Sequence, residues 1–398
     1  MGKRMTLAVI GCGDFAKCFV PLFKAHPAVK KVYVCDLVRT KAEDYSKRFG
    51  VEIIGSFEEA LRSREIDSVA IFVERHLHGR MVMEALRAGK HVYSAVPMAS
   101  SVEECLEIVD LVKETGLTYM MGETCIYYPC SMFCKAGFEK GDFGSFVFGE
   151  SQYYHDISHF PANFRADRQS AGIPPFFYPT HSTAMLLNAT GSYVTKVVAM
   201  GYEDHEPDGY FGVGANQWDN VYSNGYSLMK LANGGTIRVN ECRRIGYKAP
   251  SSYISGFYGT KGSYQFSNAQ HIVTSLTPDG VTLKDVSREV NPKAMEEHRG
   301  ESDFMERVAN HAWQGDSFSP QHDVRASRLP ESYRGLPNGH MASHQLLVDD
   351  FCTAAYSGTL PAVDASLAAR FTIPGLIAHE SVLRDSETLS VPFVELIK

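Results

Sequence analysis

A glycine-rich turn near the N-terminus constrains the possible folds of this chain most strongly. Residues 6–10 are apolar, as in a buried strand, and the sequence GCGDFA at residues 11–16 follows them directly. A helical pattern over residues 15–24 comes next. A strand, a tight glycine turn and a helix in this order predict the first unit of a doubly wound α/β sheet.

The rest of the first third repeats this alternation. Because strands separated by helices pair in parallel through right-handed crossovers, residues 1–122 are predicted to form an α/β Rossmann domain. Ser101 and Glu104 form a capping box at the start of one of its helices. The further strand patterns lie at residues 31–35, 68–72, 91–94 and 118–121, and the helical patterns lie at 39–49, 78–88 and 101–115.

The pattern changes after residue 123. Residues 123–398 are expected to be an α+β domain for substrate binding and oligomerisation, with a large, mostly antiparallel open sheet. Two final helices are predicted to pack back on the first domain. Residues 291–339 are polar and rich in Pro, Gly and Ser, which is typical of an extended loop or arm. The predicted elements are helices at 128–140, 342–356 and 365–386, a strand at 145–154, and hairpin turns at 233–235 and 259–262.

Length and composition narrow the possible classes of protein. With 398 residues the chain is too long for one ordinary domain. A net charge of −7 argues against nucleic acid as a partner, and no apolar run approaches the roughly 20 residues of a membrane span. The strand pattern begins almost at once and leaves no room for a secretion signal, so a cytoplasmic protein with nine reduced cysteines is expected. An open sheet face is often an interface, and we therefore expect a homo-dimer or homo-tetramer.

The glycine turn has the chemistry of a dinucleotide site. Gly11 permits the tight turn, and Gly13 lets the backbone approach a pyrophosphate. Asp36, at the end of the second strand, can accept both ribose hydroxyls and would repel a 2′-phosphate, which favours NAD over NADP. Arg39 nearby keeps NADP as an alternative, and a tight turn without any ligand is a second one. The loop residues predicted to contact the cofactor are Gly11, Cys12, Gly13, Asp14 and Phe15.

Two groups of residues raise the question of a metal. Three cysteines, at positions 125, 130 and 134, fit none of the paired spacings of zinc sites. Glu123, His155, Asp156, His159 and His181 include the ligand types of a divalent metal site, but spacing alone does not show that they converge. A divalent metal is therefore possible but not favoured, and no metal ligand is predicted.

Several motifs beyond the glycine turn resemble one family. The segments GCGDFA, FVERHLH, HVYSAVPMASSVEECLEIV and YGTKGSYQF occur in the order and context of the glucose–fructose oxidoreductase/inositol dehydrogenase family (Gfo/Idh/MocA). The resemblance implies NAD-dependent chemistry on sugars or polyols. It also implies that His78, Val96, Pro97 and Glu123 contact the cofactor.

The chain departs from the usual dehydrogenases of that family at its proton-transfer residues. Val96 stands where typical members carry the lysine of Glu-Lys-Pro, and valine cannot carry a proton. In the second domain Ala184 and Asn188 stand where the family's Asp and second His follow the position of His181. The usual proton-transfer set is therefore largely absent, and either catalysis is lost or other groups perform it.

Other segments resemble one branch of the family, the NAD-dependent glycosidases of glycoside hydrolase family 109. They are AVPMASSVEECLEIVDLVKETGLTYMMGETC, SQYYHDISH and FYPTHST, although Ala95 stands where that branch commonly has Glu. The resemblance implies a sugar site with four catalytic residues, which are Glu123, Tyr153, Tyr178 and His181.

The branch implies a redox-neutral cleavage. Oxidation at sugar C3 acidifies the C2 proton, its loss expels the group at C1, water adds, and tightly bound NAD is recycled. His181 is the expected base because the pKa of histidine lies near neutrality, and Tyr178 is its partner. Tyr153 would protonate the leaving oxygen, and Glu123 would hold sugar hydroxyls.

Two alternatives to this glycosidase remain. One is an NAD-dependent sugar dehydrogenase or ketosugar reductase that uses the same pocket. The other is a non-catalytic protein that binds NAD or a sugar. Trp218 is either a wall on which a sugar stacks or a core residue.

Overall fold

The described chain forms two compact units. The computed structural model describes residues 4–157, 160, 165–168, 170–245, 251–266, 271–277, 280–290, 325 and 327–398. Within these ranges no helix combines the length and the apolar character needed to cross a lipid bilayer. The first unit comprises Met1–Thr124, Ser327–Ala369 and Val394–Lys398, and the second comprises Cys125–Ala326 and Arg370–Phe393.

A parallel six-stranded sheet organises the first unit. The strand order is β3-β2-β1-β4-β5-β6, so the direction of winding reverses between β1 and β4. This doubly wound order confirms the predicted Rossmann fold. The two-residue strand β3 was not predicted, because so short a segment has no readable alternation. The strands are β1 Met5–Ile10, β2 Val29–Cys35, β3 Glu52–Ile53, β4 Ser68–Ile71, β5 His91–Ser94 and β6 Tyr119–Met121.

Local sequence signals set the ends of the helices in this unit. Ser101 caps the helix Val102–Thr115 by accepting a hydrogen bond from the amide of Glu104 at 3.1 Å. The helix predicted after the glycine turn is split into a 3₁₀ turn at Ala16–Cys18 and a helix at Val20–Ala25, because proline in the first turn favours a helix start there. The other helices include Arg39–Phe49, Phe57–Arg62, His78–Arg87, Gly339–Ala342 and His344–Ser357.

A cluster of aromatic rings packs the helix His344–Ser357 into the first unit. The ring of Phe351 lies 6.3 Å from that of Phe23 and 5.7 Å from that of Tyr93. The ring of His344 lies 4.5 Å from that of Phe19. Buried aromatic pairs at such distances contribute favourable contacts beyond the area they bury, so this helix is an integral part of the unit.

The second unit contains a nine-stranded sheet that is mostly antiparallel, as predicted. Its order is β14-β13-β12-β11-β7-β10-β9-β8-β15, and β7 and β10 form its one parallel pair among the described strands. The predicted turns at 233–235 and 259–262 join β9 to β10 and β11 to β12. The strands are β7 Phe146–Tyr154, β8 Val194–Glu203, β9 Tyr222–Leu231, β10 Thr236–Cys242, β11 Ser251–Gly259, β12 Gly262–Phe266, β13 His271–Thr277, β14 Gly280–Asp285 and β15 Leu389–Ser390.

Helices cover one side of this sheet. They are Pro129–Lys140, Thr180–Thr190, Ser287–Val290 and the long helix Ala365–Leu383, whose residues from 370 onward belong to this unit. Met200, Tyr226 and Leu228 of β8 and β9 have exposed side chains, and the expected homo-oligomer stays a prediction. Most of the arm predicted at 291–339, residues 291–324, lies outside the described residues.

A half-buried histidine should make the stability of the second unit depend on pH. Burial lowers the pKa of His379 to about 4, and its ring lies 5.2 Å from that of Phe177. The unfolded chain binds this proton at its ordinary pKa near 6.5. The contribution to stability is therefore fully present above pH 6.5 and is lost as the pH falls toward 4, by about 3 kcal/mol.

We expect His379→Gln to flatten the loss of melting temperature between pH 7 and pH 4.5, as measured by calorimetry. His205→Gln, at an exposed position, is the matched control and should keep the wild-type slope. An unchanged slope in His379→Gln would contradict the assignment.

Candidate active site

The two glycines of the turn after β1 have different surroundings: Gly11 is packed against protein backbone, and Gly13 borders open space. Gly11 has φ +96°, and a Cβ there would lie 2.2 Å from the carbonyl oxygen of Phe72. Its amide also donates to the carbonyl of Cys35 at 2.8 Å. A Cβ on Gly13 would have no neighbour within 4 Å. Gly11 is therefore required by the turn itself, whereas Gly13 borders open space in which a pyrophosphate can approach the backbone.

Asp36 is fixed at the end of β2 by backbone amides. Its carboxylate accepts hydrogen bonds from the amides of Cys12 at 2.8 Å and Val38 at 2.7 Å. Arg39 was the residue that kept NADP as an alternative cofactor. Its side chain pairs with Glu43 at 3.0 Å. The negative charge of Asp36 is thus held in place, and the nearby cation is already engaged by a carboxylate, which supports NAD rather than NADP.

The remaining loop residues have distinct environments. Burial, followed by the charge of Asp36, raises the pKa of the Cys12 thiol to about 12, so this thiol stays neutral. Asp14 is exposed and pairs with Lys17 at 2.6 Å. The ring of Phe15 packs 4.9 Å from that of Phe19. Phe15 therefore supports the turn through packing, and Asp14 lies on the solvent side of it.

His78 joins the two loops that follow β4 and β5. Its Nδ1 lies 2.7 Å from the carbonyl oxygen of Pro97, and its Nε2 lies 3.1 Å from that of Val73. Burial lowers its pKa, so the ring is neutral and donates to one of the two carbonyls at a time. Val96 is buried in the same loop, and the Val96–Pro97 peptide bond is cis. Glu123, also fully buried, follows β6.

Two tyrosine–histidine pairs lie together in the second unit. The hydroxyl of Tyr178 lies 3.1 Å from Nε2 of His181, and that of Tyr153 lies 2.8 Å from Nδ1 of His155. The rings of Tyr153 and Tyr178 are 5.7 Å apart, and the ring of Tyr153 is 5.2 Å from that of His181. Three of the residues named from sequence thus share one cluster, and each tyrosine can exchange a proton with a histidine.

Local structure explains how these side chains meet. Tyr153 is on β7, Tyr178 ends the 3₁₀ turn Pro175–Phe177, and His181 is in the first turn of the helix Thr180–Thr190. His155 follows β7 and stacks on Phe160 with ring centroids 4.0 Å apart. His155 was considered only as a metal ligand, and its spacing of two residues from Tyr153 is the sequence signal that could have revealed the pair.

A buried ion pair beside this cluster was missed. Arg243 and Glu241 are almost completely buried, and their side chains approach to 3.3 Å. The guanidinium of Arg243 lies 5.1 Å from the ring centroid of Tyr153. Glu241 also accepts a hydrogen bond at 2.8 Å from Ser182, the residue next to His181. The sequence offers only the Glu-x-Arg spacing at a strand end as a signal, and that spacing is common on exposed strands.

The usual second-domain proton-transfer positions have other roles here. Ala184 is fully buried. The side-chain oxygen of Asn188 accepts a hydrogen bond from Lys135 at 3.2 Å. Trp218 is half-buried, with its ring 5.5 Å from that of Phe177 in an edge-to-face contact. Neither of the first two residues can perform acid–base chemistry.

The suspected metal ligands of the second unit assemble only in part among the described residues, where a ligand atom of His181 lies within 4.8 Å of the Sγ of Cys125. Asp156 accepts a hydrogen bond from the amide of Ile245 at 2.9 Å, and His155, Asp156 and His181 do not bring three ligand atoms together. His159 lies outside the described residues. All nine cysteines are free thiols, and burial raises the pKa of Cys130 to about 12, so it is a neutral core residue.

One family model matches the sequence of the first third of the chain. Residues 5–123 match the Gfo/Idh/MocA model, described as an oxidoreductase family with an NAD-binding Rossmann fold. The match is confined to the predicted Rossmann domain. Over 98% of its length the chain is 24% identical to a glycosyl hydrolase family 109 protein of Streptomyces filamentosus, of which it covers 77%.

Solved structures agree on the fold of the whole chain. Levoglucosan dehydrogenase in complex with NADH and levoglucosan has a TM-score of 0.73 and 18% identity, covering 98% of this chain and 100% of that one. Scyllo-inositol dehydrogenase from Lactobacillus casei, with NAD(H) and scyllo-inositol bound, has a TM-score of 0.67 and 16% identity, covering 98% and 99%. These similarities establish the fold, and the family model that matches residues 5–123 is described as NAD-binding.

Substitutions at the two glycines should separate folding from cofactor binding. We expect Gly13→Ala to keep the melting temperature of the cofactor-free protein while weakening NAD binding at least tenfold, because only the ligand meets the new methyl group. Gly11→Ala should lower both quantities, because its Cβ meets the protein backbone. Calorimetry and titration of NAD measure the two effects, and equal NAD affinity in Gly13→Ala and wild type would contradict the placement of the pyrophosphate.

A change at Asp36 should alter the choice between cofactors. Asp36→Asn keeps the shape of the side chain and removes its charge, so the ratio of NADP to NAD affinity should rise about tenfold. Asp110→Asn, in the exposed part of the helix Val102–Thr115, should leave the ratio unchanged. If Asp36→Asn also leaves the ratio unchanged, the ribose of the cofactor does not lie against Asp36.

Proposed function

We propose that this chain is an NAD-dependent, redox-neutral glycoside hydrolase that cleaves by oxidation, elimination and hydration. The observation that carries the proposal is the cluster of two tyrosine–histidine pairs, Tyr178–His181 and Tyr153–His155. It is supported by the full-length similarity to a glycosyl hydrolase family 109 protein. A flanking pair of carboxylates, as ordinary glycosidases use, is not needed for this route.

The residues of the second unit supply the proton transfers. Gly11, Gly13 and Asp36 would hold NAD, which would supply reversible hydride transfer at C3 of the sugar. His181 removes the proton of the 3-hydroxyl, and Tyr178 exchanges protons with it at 3.1 Å. After that first proton has passed to water, the same pair takes the acidified C2 proton, and the electron pair of that bond forms the C1–C2 double bond as the C1 oxygen leaves. Water then adds across this double bond.

The second pair serves the leaving group. Tyr153 donates its proton to the departing oxygen and is reprotonated through His155. Glu123, a fully buried carboxylate of the first unit, would hold sugar hydroxyls. The cofactor would lie along Gly11, Gly13 and Asp36, and it would not need to leave between cycles because each cycle regenerates it. The other predicted cofactor contacts are Cys12, Asp14, Phe15, His78, Val96, Pro97 and Glu123.

A sugar dehydrogenase is the second candidate. It is favoured by the likeness of the whole fold to levoglucosan dehydrogenase and scyllo-inositol dehydrogenase. That reaction needs one proton acceptor and consumes NAD stoichiometrically, whereas the proposed cleavage needs an acid as well as a base and consumes none. The buried Val96, in place of a proton-carrying lysine, and the presence of two pairs favour cleavage.

The decisive experiment uses the purified protein without added cofactor. We expect aryl glycosides of either anomer, incubated in D₂O, to release sugar that carries deuterium at C2, as followed by NMR. His181→Ala should lower the rate by about 10²–10⁴-fold with NAD still bound, since a general base contributes that much. The exposed His205→Ala should keep the wild-type rate.

The other outcomes distinguish the candidates. Formation of NADH in proportion to sugar, seen only when NAD is supplied and without release, would establish the dehydrogenase. Bound NAD with neither release nor NADH formation across a broad panel of sugars would indicate a non-catalytic binding protein.

A further inference from the structure

One buried cation faces both tyrosines of the candidate site. Arg243 directly follows β10, and its side chain is 4% exposed. Its guanidinium carbon lies 5.1 Å from the ring centroid of Tyr153 and 5.9 Å from that of Tyr178. A charge that is removed from water acts on its neighbours far more strongly than a surface charge does. Each tyrosine–histidine pair therefore has the same arginine beside its tyrosine.

Glu241 holds this arginine and the helix that carries His181. Oε2 of Glu241 lies 3.3 Å from Nη2 of Arg243, and Oε1 accepts a hydrogen bond from Ser182 at 2.8 Å. The second guanidinium nitrogen donates to the carbonyl of Cys242 at 3.3 Å. Glu241 also lies opposite Tyr153 in the parallel pair of β10 and β7. One carboxylate thus connects the two strands and the helix that carry the site.

We propose that Arg243 is a positioning residue that favours the phenolate forms of Tyr153 and Tyr178, and that Glu241 fixes it in this place. The inference rests on the function proposed above, in which both tyrosines exchange protons. An isolated tyrosine holds its proton up to a pH near 10, and a buried cation beside the ring favours release of that proton at lower pH. Arg243 lets each phenol pass its proton to a histidine or to the substrate near neutral pH.

Several other charged or titratable groups lie near the two tyrosines or near Arg243. His155 and His181 contact the tyrosine hydroxyls and are the proton partners themselves. Glu241 carries the opposite charge and partly offsets the cation, while its two oxygens contact Ser182 and Arg243. The next residue, Arg244, is paired with Asp204 at 3.0 Å and with Asp208 at 2.8 Å. Arg244 therefore provides a matched control on the adjacent position.

The test is a pH titration of the full-length protein labelled with ¹³C at tyrosine Cζ. Tyr153→Phe and Tyr178→Phe assign the two signals. In Arg243→Met we expect both ionisation midpoints to move up by about one pH unit or more, with most of the shift reversed in Arg243→Lys. Arg244→Met should leave both midpoints in place. If the ionisation midpoints of both tyrosines are the same in Arg243→Met as in the wild type, the proposal is overturned.

A second variant separates electrostatics from damage to the fold. Glu241→Gln keeps an acceptor for Ser182 and removes the charge that opposes Arg243, so the midpoints should move down, opposite to the change in Arg243→Met. A general loosening of the site would move the midpoints of both variants toward that of free tyrosine. Midpoints that rise in Glu241→Gln would therefore overturn the role of Arg243, also if Arg243→Met proves too unstable to study.

This titration needs no substrate, so its outcome is independent of the proposed function. If wild-type protein releases no sugar but the midpoints shift as expected, the hydrolase proposal fails and the role of Arg243 stands. If wild-type protein does release sugar, Arg243→Met should raise the pH of half-maximal turnover and lower kcat at least tenfold with KM nearly unchanged. A fall in stability alone would leave that pH unchanged.

Discussion

The candidate site depends on the parallel pairing of β7 with β10. Every other described pair in the large sheet is antiparallel, and in an antiparallel pair the carboxyl ends of neighbouring strands lie at opposite edges. Parallel pairing places the carboxyl ends of β7 and β10 at one edge, with Tyr153 opposite Glu241. His155 and Arg243 follow at the same edge. The parallel pairing of these two strands thus brings a phenol, an imidazole, a carboxylate and a guanidinium together at one edge of the sheet.

Burial of the Arg243–Glu241 pair costs desolvation free energy. Taking both ions out of water costs several kcal/mol each, and replacement by apolar residues is often neutral or stabilising. The contacts of the pair include those with Ser182, with the carbonyl of Cys242 and between its own members. A buried pair is therefore weak evidence for stability, and its place beneath two tyrosines is better explained by the charge that it presents to them.

The sequence predicted those features whose signals are local. The glycine turn and Asp36 lie within one βα unit, so their spacing alone indicated the NAD domain that the family match then confirmed. The motif YPTH placed Tyr178 and His181 together because three residues of chain separate them. Arg243 and Glu241 could not be found in this way. Their importance arises from a strand that lies more than eighty residues earlier, and no local pattern reveals which strands pair in parallel.

His155 shows a different limit of sequence reasoning. With Asp156 and His159 nearby, its residue type suggested a metal ligand, because carboxylates and imidazoles are good ligands at any spacing that a fold can bring together. The side chain instead faces Tyr153, and Asp156 caps the backbone at Ile245. The residue type of His155 was compatible with a metal ligand and with a proton partner of a tyrosine. Only the direction in which its side chain leaves the end of β7 distinguishes these two roles.

Sharing one cation between two tyrosines has a consequence for acid–base catalysis. The rings of Tyr153 and Tyr178 are 5.7 Å apart, so a second phenolate would meet the repulsion of the first, and one guanidinium balances only one of them. The two tyrosines therefore titrate as a coupled set, in which release of a proton by one favours retention by the other. Elimination across C1 and C2 requires this division, since a base must take the C2 proton while an acid still holds the proton for the leaving oxygen. In the proposed site, Arg243 favours release of a proton from either tyrosine, and the repulsion between two phenolates keeps the proton on the other, so the division needs no difference in residue type between the pairs.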